Sequence, residues 1–302
     1  MSKLKIALTG VSGMVGSHLS EFFIREGHPL SRLVRRPSFP MDSLISWDPQ
    51  EGTIDLRKLE GHDVLVHLAG ASIAGKRWSA QYKEEILKSR IRGTSLLCEA
   101  LGKLKRPPKV FLCASAVGFY GNRPASELVD ETSLSGSGFL SHVCEEWEKT
   151  ALRAKTLGVR VVCMRLGMVL SSKGGALAQM LPIFRLGLGG KLSSGEQMIS
   201  WVSLDEIPLV IDHLIQHSEI SGAVNVVSPK AVENREFTQI LGKVLKRPAI
   251  FPVPALGVKL LFGEMGEELL LSGAHVVPRR LQESGYQFIY PDLQKVLEKL
   301  LT

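Results

Sequence analysis

Lys5-Ile-Ala-Leu-Thr9-Gly10-Val-Ser12-Gly13-Met14-Val15-Gly16, read with the helix that follows it, decides the fold of this 302-residue chain. Lys5 to Thr9 is a short apolar run of strand type. After the three glycines, Val15, Leu19, Phe22 and Phe23 recur on one face of a helix that Gly27 ends. In that setting the glycines have separate duties. Gly10 permits a tight turn, Gly13 lets the backbone come close to a diphosphate, and Gly16 lets the helix pack against the strand. The free amides and partial positive charge of the helix start favour phosphate. The stretch therefore reads as a dinucleotide site touched by Gly10, Ser12, Gly13, Met14, Val15 and Gly16.

Working outward, Leu30 to Val34, Asp63 to Leu68, Lys109 to Ser115 and Arg160 to Arg165 are further apolar runs, continuous as in strands buried on both faces. Helical patterns separate them. Lys83 to Leu101 carries Leu87, Ile91, Leu97 and Leu101 on one stripe, and Phe139 to Leu157 is closed by Gly158. This alternation predicts an α/β architecture, a Rossmann-type doubly wound parallel sheet over residues 1–166. Beyond residue 166 the pattern loosens into Gly-rich segments, a helix with Asn234 as its cap, and a Pro-punctuated helical tail. Residues 167–302 read as a smaller substrate-side lobe that lends at least one strand to the main sheet.

Composition narrows the function. The formal charge is +7, but lysines and arginines are scattered and never interleaved with aromatics, which argues against nucleic acid. No apolar run reaches the roughly 18 residues of a membrane span, and the first residues enter a strand rather than a signal peptide, so no membrane partner is expected. Cys98, Cys113, Cys144 and Cys163 lack paired metal-site spacing and read as core thiols of a cytoplasmic protein that holds no metal.

The second strand selects the cofactor. A carboxylate at its end would bind the ribose hydroxyls of NAD, whereas here it ends Val34-Arg35-Arg36. Arginine makes charge-assisted hydrogen bonds to a 2′-phosphate, which a carboxylate would repel. NADP is the expected cofactor, with Arg35 and Arg36 on its phosphate. His67-Leu68-Ala69-Gly70 ends a strand at the ligand-binding edge, so Leu68, Ala69 and Gly70 are expected beside the adenosine half and His67 is expected to be packed.

With these residues in place the sequence resembles the extended short-chain dehydrogenase/reductases, and within them an atypical branch known as epimerase family proteins. The resemblance rests on Thr9 to Gly16, Leu68 to Ala74, Ser89-Arg90, Ala114 to Gly121, Trp147-Glu148, Arg165 to Leu170, Phe184 to Gly190, Ser200-Trp201, Gly263 to Ser272 and Pro278 to Leu281. It implies a hydride-transferring enzyme acting on a small-molecule substrate, a sugar nucleotide or another anionic metabolite; a homodimer is compatible with it. One departure stands out. The superfamily uses a tyrosine as acid/base four residues before a lysine, but the corresponding helix reads Phe139-Leu-Ser-His-Val-Cys-Glu-Glu-Trp-Glu148. Phe139 or Leu140 takes the tyrosine position and Val143 or Cys144 the lysine position.

Ser115 and Tyr120 are left as candidate catalytic residues, and Arg165 as a cofactor or anion contact at a strand end. His142 and Glu146 share a helix face. Ser200, Trp201 and Asp205 resemble a segment closing over substrate, and Arg279 with Arg280 form a candidate anion clamp. The function expected is an NADP-dependent oxidoreductase or epimerase without the usual relay; the alternative is a non-catalytic NADP(H)-binding regulator or sensor.

Overall fold

The computed structural model describes residues 3–35 and 43–301. An eight-stranded sheet comprises β1 (Ile6–Leu8), β2 (Leu30–Val34), β3 (Leu44–Asp48), β4 (Thr53–Ile54), β5 (Val64–His67), β6 (Val110–Ala116), β7 (Arg160–Leu166) and β8 (Gly222–Val226). Their order in space is β8-β7-β6-β5-β1-β2-β3-β4, parallel except for β3 with β4. From β1 the chain builds outward in one direction, then returns past β1 and builds in the other. That reversal opens a crevice at the carboxyl ends of β1 and β5, where a sheet of this type takes its ligand.

Helices cover both faces: α1 (Met14–Arg25), α2 (Ala80–Leu101), α3 (Phe139–Leu152), α4 (Gly175–Arg185), α5 (Glu206–Gln216), α6 (Asn234–Leu245), α7 (Ala255–Phe262) and, after a few short turns, the terminal helix Leu293–Leu301. Strand residues alternate between two cores. Ile6, Leu8, Val64 and Val66 meet Leu19 and Phe23 of α1 and Ile207 and Ile211 of α5. Ala7, Leu65, Phe111 and Cys113 meet Leu97 and Leu101 of α2 and Trp147 and Ala151 of α3. Burial on both faces is why these strands read as unbroken apolar runs. A third core joins Leu177 and Phe184 of α4, Trp201, Phe237 and Leu241 of α6, and Val296 and Leu297. Although they follow residue 166, α5 and β8 lie in the main layer.

Three local expectations change. The second helix starts at Ala80, because the Ser79 hydroxyl accepts the Tyr82 N–H and caps it. The third ends at Leu152 and passes through a 3₁₀ turn to Gly158, whose φ is 76°. Asn234 is the first residue of α6 rather than its cap: its Oδ1 accepts the Leu192 N–H at 2.8 Å and ties two lobe segments together. Among the described residues no helix is long and apolar enough to cross a membrane.

Gly16 has no room for a side chain, since a Cβ there would lie 2.1 Å from the Gly10 carbonyl oxygen. We expect Gly16→Ala to push α1 off its turn and cost about 2 kcal/mol, read as a fall in the midpoint of thermal unfolding.

Candidate functional site

The glycine turn is held open toward solvent. Gly10 has φ 71°, and a Cβ on it would meet the Leu68 backbone at 2.8 Å, so the exits of β1 and β5 nearly touch. Gly13 is the N-cap of α1 and supplies no side-chain acceptor. The first-turn amides of Met14, Val15 and Gly16 thus have no helical partner, while Ser12 and Gly13 are exposed. Positions on Gly174 and Gly175, at the start of α4, lie within 3.3 Å of Met14 atoms, so the lobe reaches the same turn. Arg35 stands exposed just after β2. Arg36 lies outside the described residues.

Behind the turn, a chain of side chains fixes the end of β5. The Thr94 hydroxyl donates to the Arg90 carbonyl at 2.7 Å, so it accepts from Trp147 Nε1 at 2.9 Å and from His67 Nε2 at 3.1 Å. His67 Nδ1 is then bare and accepts the Thr9 hydroxyl at 2.7 Å. Thr9 Oγ1 in turn accepts the N–H groups of Leu68 at 3.1 Å and Ala69 at 3.3 Å. Every donor has a partner only if His67 is neutral. Burial supplies the driving force, pushing its pKa down to about 3. The packed reading of His67 has this network as its reason.

Arg90 is the residue whose importance sequence reasoning missed. Its Nη1 donates to the carbonyls of Ala71 and Ile86, and its guanidinium lies 4.9 Å from the Trp147 ring centroid. Its carbons and Nη1 are within 3.3 Å of where a Gly70 Cβ would stand. Burial pulls its pKa down, and no described carboxylate pairs with it. Among the described residues its charge is met by these carbonyls and the Trp147 ring, beside the loop that ends β5. The missed signal was positional: Ser89-Arg90 sits one turn before Thr94 on a helix otherwise read only for its apolar stripe.

Ser115, Tyr120 and Arg165 come together, though facing inward. The Ser115 hydroxyl donates to Glu148 Oε1 at 2.6 Å, and Arg165 grips both oxygens of Glu148 at 2.8 Å. Arg165 Nη1 also donates to the Tyr120 hydroxyl at 2.9 Å, which donates to Asn225 Oδ1 at 2.7 Å. Ser115, Tyr120, Glu148, Arg165 and Asn225 are all buried. Ser115 and Tyr120, expected as catalytic residues, and Arg165, expected as a cofactor contact, thus share one inward-facing network in which their polar atoms are committed to one another. Burial pushes the Tyr120 pKa up to about 12, which makes it a poor proton donor.

The helix face where tyrosine and lysine would stand is apolar. Positions on Gly118 at the sheet edge meet Leu140 Cβ at 3.3 Å and Cys144 Sγ at 4.0 Å, so these two side chains face the strand end. Cys144 is buried, and burial raises its thiol to about 11. Phe139 packs edge-on against Trp78 at 5.0 Å. The start of this helix is capped from the lobe, where Glu268 accepts the Phe139 and Leu140 amides at 2.7 and 2.8 Å.

Other sequence candidates are placed elsewhere. His142 is exposed, and Glu146 pairs with Lys149. Ser200 is buried and donates to the Ala274 carbonyl, and Trp201 is fully buried and donates to that of Lys230. Asp205 pairs with His18 and Lys299. Arg279 pairs with Asp130 and Glu283, while Arg280 donates to the carbonyls of Ser221 and Ala223. No group of three or more metal-ligating side chains occurs among the described residues.

Known proteins are similar to this chain in sequence and fold. The sequence profile of the NAD dependent epimerase/dehydratase family matches residues 6–227, and a domain of unknown function, DUF1731, matches residues 253–300. The chain belongs to the NAD dependent epimerase/dehydratase family. It is 37% identical over 297 residues to the epimerase family protein MT2273 of Mycobacterium tuberculosis, covering 98% of this chain and 97% of the relative. It is 31% identical to human epimerase family protein SDR39U1, covering 99% and 100%. The crystal structure of human SDR39U1 (isoform 2) with NADPH superposes with a TM-score of 0.89 at 33% identity, covering 98% of this chain and 99% of that one.

Two outcomes test the inward-facing network. Glu148→Gln should cost roughly 3–5 kcal/mol by stranding Arg165, whereas Ser115→Ala should cost only about 1 kcal/mol, both read by denaturant unfolding. Because the His67 pKa is depressed, the unfolded chain binds the extra proton between the ordinary value of 6.5 and about 3. Stability is complete above the first value and falls as pH drops toward the second, by up to about 1.4 kcal/mol per pH unit. In His67→Gln that part of the acid slope should disappear.

Proposed function

We propose that this chain binds NADP(H) across the β1–β5 crevice and does not run the proton relay by which its superfamily oxidises and epimerises hydroxyls. The observation that carries the reading is the apolar face of Leu140 and Cys144, backed by polar groups already committed to Glu148.

The residues present fit the dinucleotide. Gly10 to Gly16 offer a close backbone and free amides for the diphosphate, and Leu68, Ala69 and Gly70 line the loop beside the adenosine. Arg35, with Arg36 next to it, offers the charge that a 2′-phosphate requires, and unpaired Arg90 supplies a second cation at the crevice. NADPH supplies a hydride from nicotinamide C4. Taking that hydride from a sugar carbinol in the reverse direction requires a base for the hydroxyl proton. Leu140 has none, the Cys144 thiol is held protonated, and Tyr120 is bonded to Arg165 and Asn225. The site thus supports holding the cofactor, and the conclusion is an NADP(H)-binding regulator whose lobe contacts the cofactor turn through Met14. The reading includes a cytoplasmic location, consistent with four free, buried cysteines.

Arg90 favours a second reading. Its unpaired guanidinium can polarise a carbonyl or hold an anionic substrate such as a sugar nucleotide, with water delivering the proton, which would make the chain a reductase.

NADPH deuterated at nicotinamide C4, incubated with the protein and a dialysed extract restored with metabolites, separates the two readings. We expect NADPH to bind and deuterium to stay on the cofactor. Deuterium found by mass spectrometry in a small molecule, and lost in Arg90→Leu, would overturn the regulator reading in favour of the reductase.

A further inference from the structure

The C-terminal lobe turns apolar side chains outward. Among the described residues, nine of the fourteen exposed large apolar side chains fall in two segments, 183–188 and 250–262. Leu186, Ile250, Leu256, Leu260 and Leu261 are each at least two-thirds exposed. On α7 this inverts ordinary amphipathicity, since Val258 is buried while Leu256, Leu260 and Leu261 face solvent. The segments are physically joined. Arg247 Nε donates to the Arg185 carbonyl, Phe251 N to Gly189, and Ser193 N to Val253. Clustering on this scale marks an interaction surface rather than ordinary surface scatter.

Charge identifies the partner. Residues 175–195 and 237–263 contain Arg185, Lys191, Lys243, Lys246, Arg247 and Lys259, and no aspartate or glutamate. Only Lys259 has a carboxylate partner among the described residues, Glu267, and Glu264 at the edge is engaged by Lys83. A second copy docked symmetrically would set cations against cations. A bilayer with anionic headgroups offers both complements at once, an apolar layer for the leucines and phosphates for the rim. We propose that this face docks on an anionic membrane surface, with Leu256, Leu260 and Leu261 entering the headgroup region and Arg185, Lys191, Lys246 and Arg247 meeting lipid phosphates. Such a patch is assembled from two segments, neither long enough to span, so it lies outside what a search for spanning segments detects.

The test is flotation of the full chain with vesicles of phosphatidylcholine containing phosphatidylglycerol, against phosphatidylcholine alone. Binding is expected only to the anionic vesicles and should weaken at high salt. Leu256→Glu with Leu260→Glu, both at exposed positions, should lower the bound fraction about tenfold, as should Arg185→Glu with Lys191→Glu, each with unchanged thermal unfolding. Failure to float with anionic vesicles, or flotation that these variants leave intact, would overturn the proposal. So would a wild-type dimer that Leu256→Glu with Leu260→Glu makes monomeric, since that outcome assigns the surface to a second copy.

Discussion

The paired charges of Glu148 and Arg165 organise everything at the carboxyl edge of the sheet. Glu148 lies on α3 and Arg165 near the end of β7, and their two 2.8 Å contacts lock helix to strand. Neither charge is tolerable alone in so buried a position, so each enforces the other's place. The pair then recruits Ser115 from β6, Tyr120 from the following turn and Asn225 from β8. At these strand ends the polar groups satisfy one another.

The cofactor side is organised by a different economy of contacts, one of backbone proximity. Gly10, Gly16 and Leu68 approach so closely that no side chain fits between them. The Thr9, His67, Thr94 and Trp147 network holds that approach from behind. Its cost is a histidine held neutral well below its ordinary pKa, and its product is a fixed turn whose first helical amides have no helical partner. The two halves of the site therefore differ in kind, one open and positively disposed toward phosphates, the other closed on itself.

Much of this was legible in the sequence. The glycine spacing after a strand fixes the first turn, and alternating apolar runs give the doubly wound sheet, because a strand buried on both faces must be apolar throughout. The absence of the tyrosine and lysine was visible, with Phe139 or Leu140 and Val143 or Cys144 in their places; the contacts at Gly118 point to Leu140 and Cys144. Side-chain direction was not legible. Ser115 at a strand end can face the crevice or the interior, and Glu148, which entered the sequence reading only within the resemblance at Trp147-Glu148, is what turns it inward. Arg90 was hidden for the converse reason: its significance lies in a partner it lacks. The exposed leucines of α7 share a composition with buried ones, and only packing tells them apart.

The central claim is that a dinucleotide carrying a 2′-phosphate is held where β1, β2 and β5 end. The most direct measurement is a calorimetric titration of the purified chain with NADPH and with NADH, repeated on Arg35→Asp. The account predicts that NADPH binds at least about tenfold more tightly than NADH, and that Arg35→Asp removes most of that difference while leaving NADH affinity nearly unchanged. Equal affinities in the wild-type chain, or a preference for NADH, would contradict it.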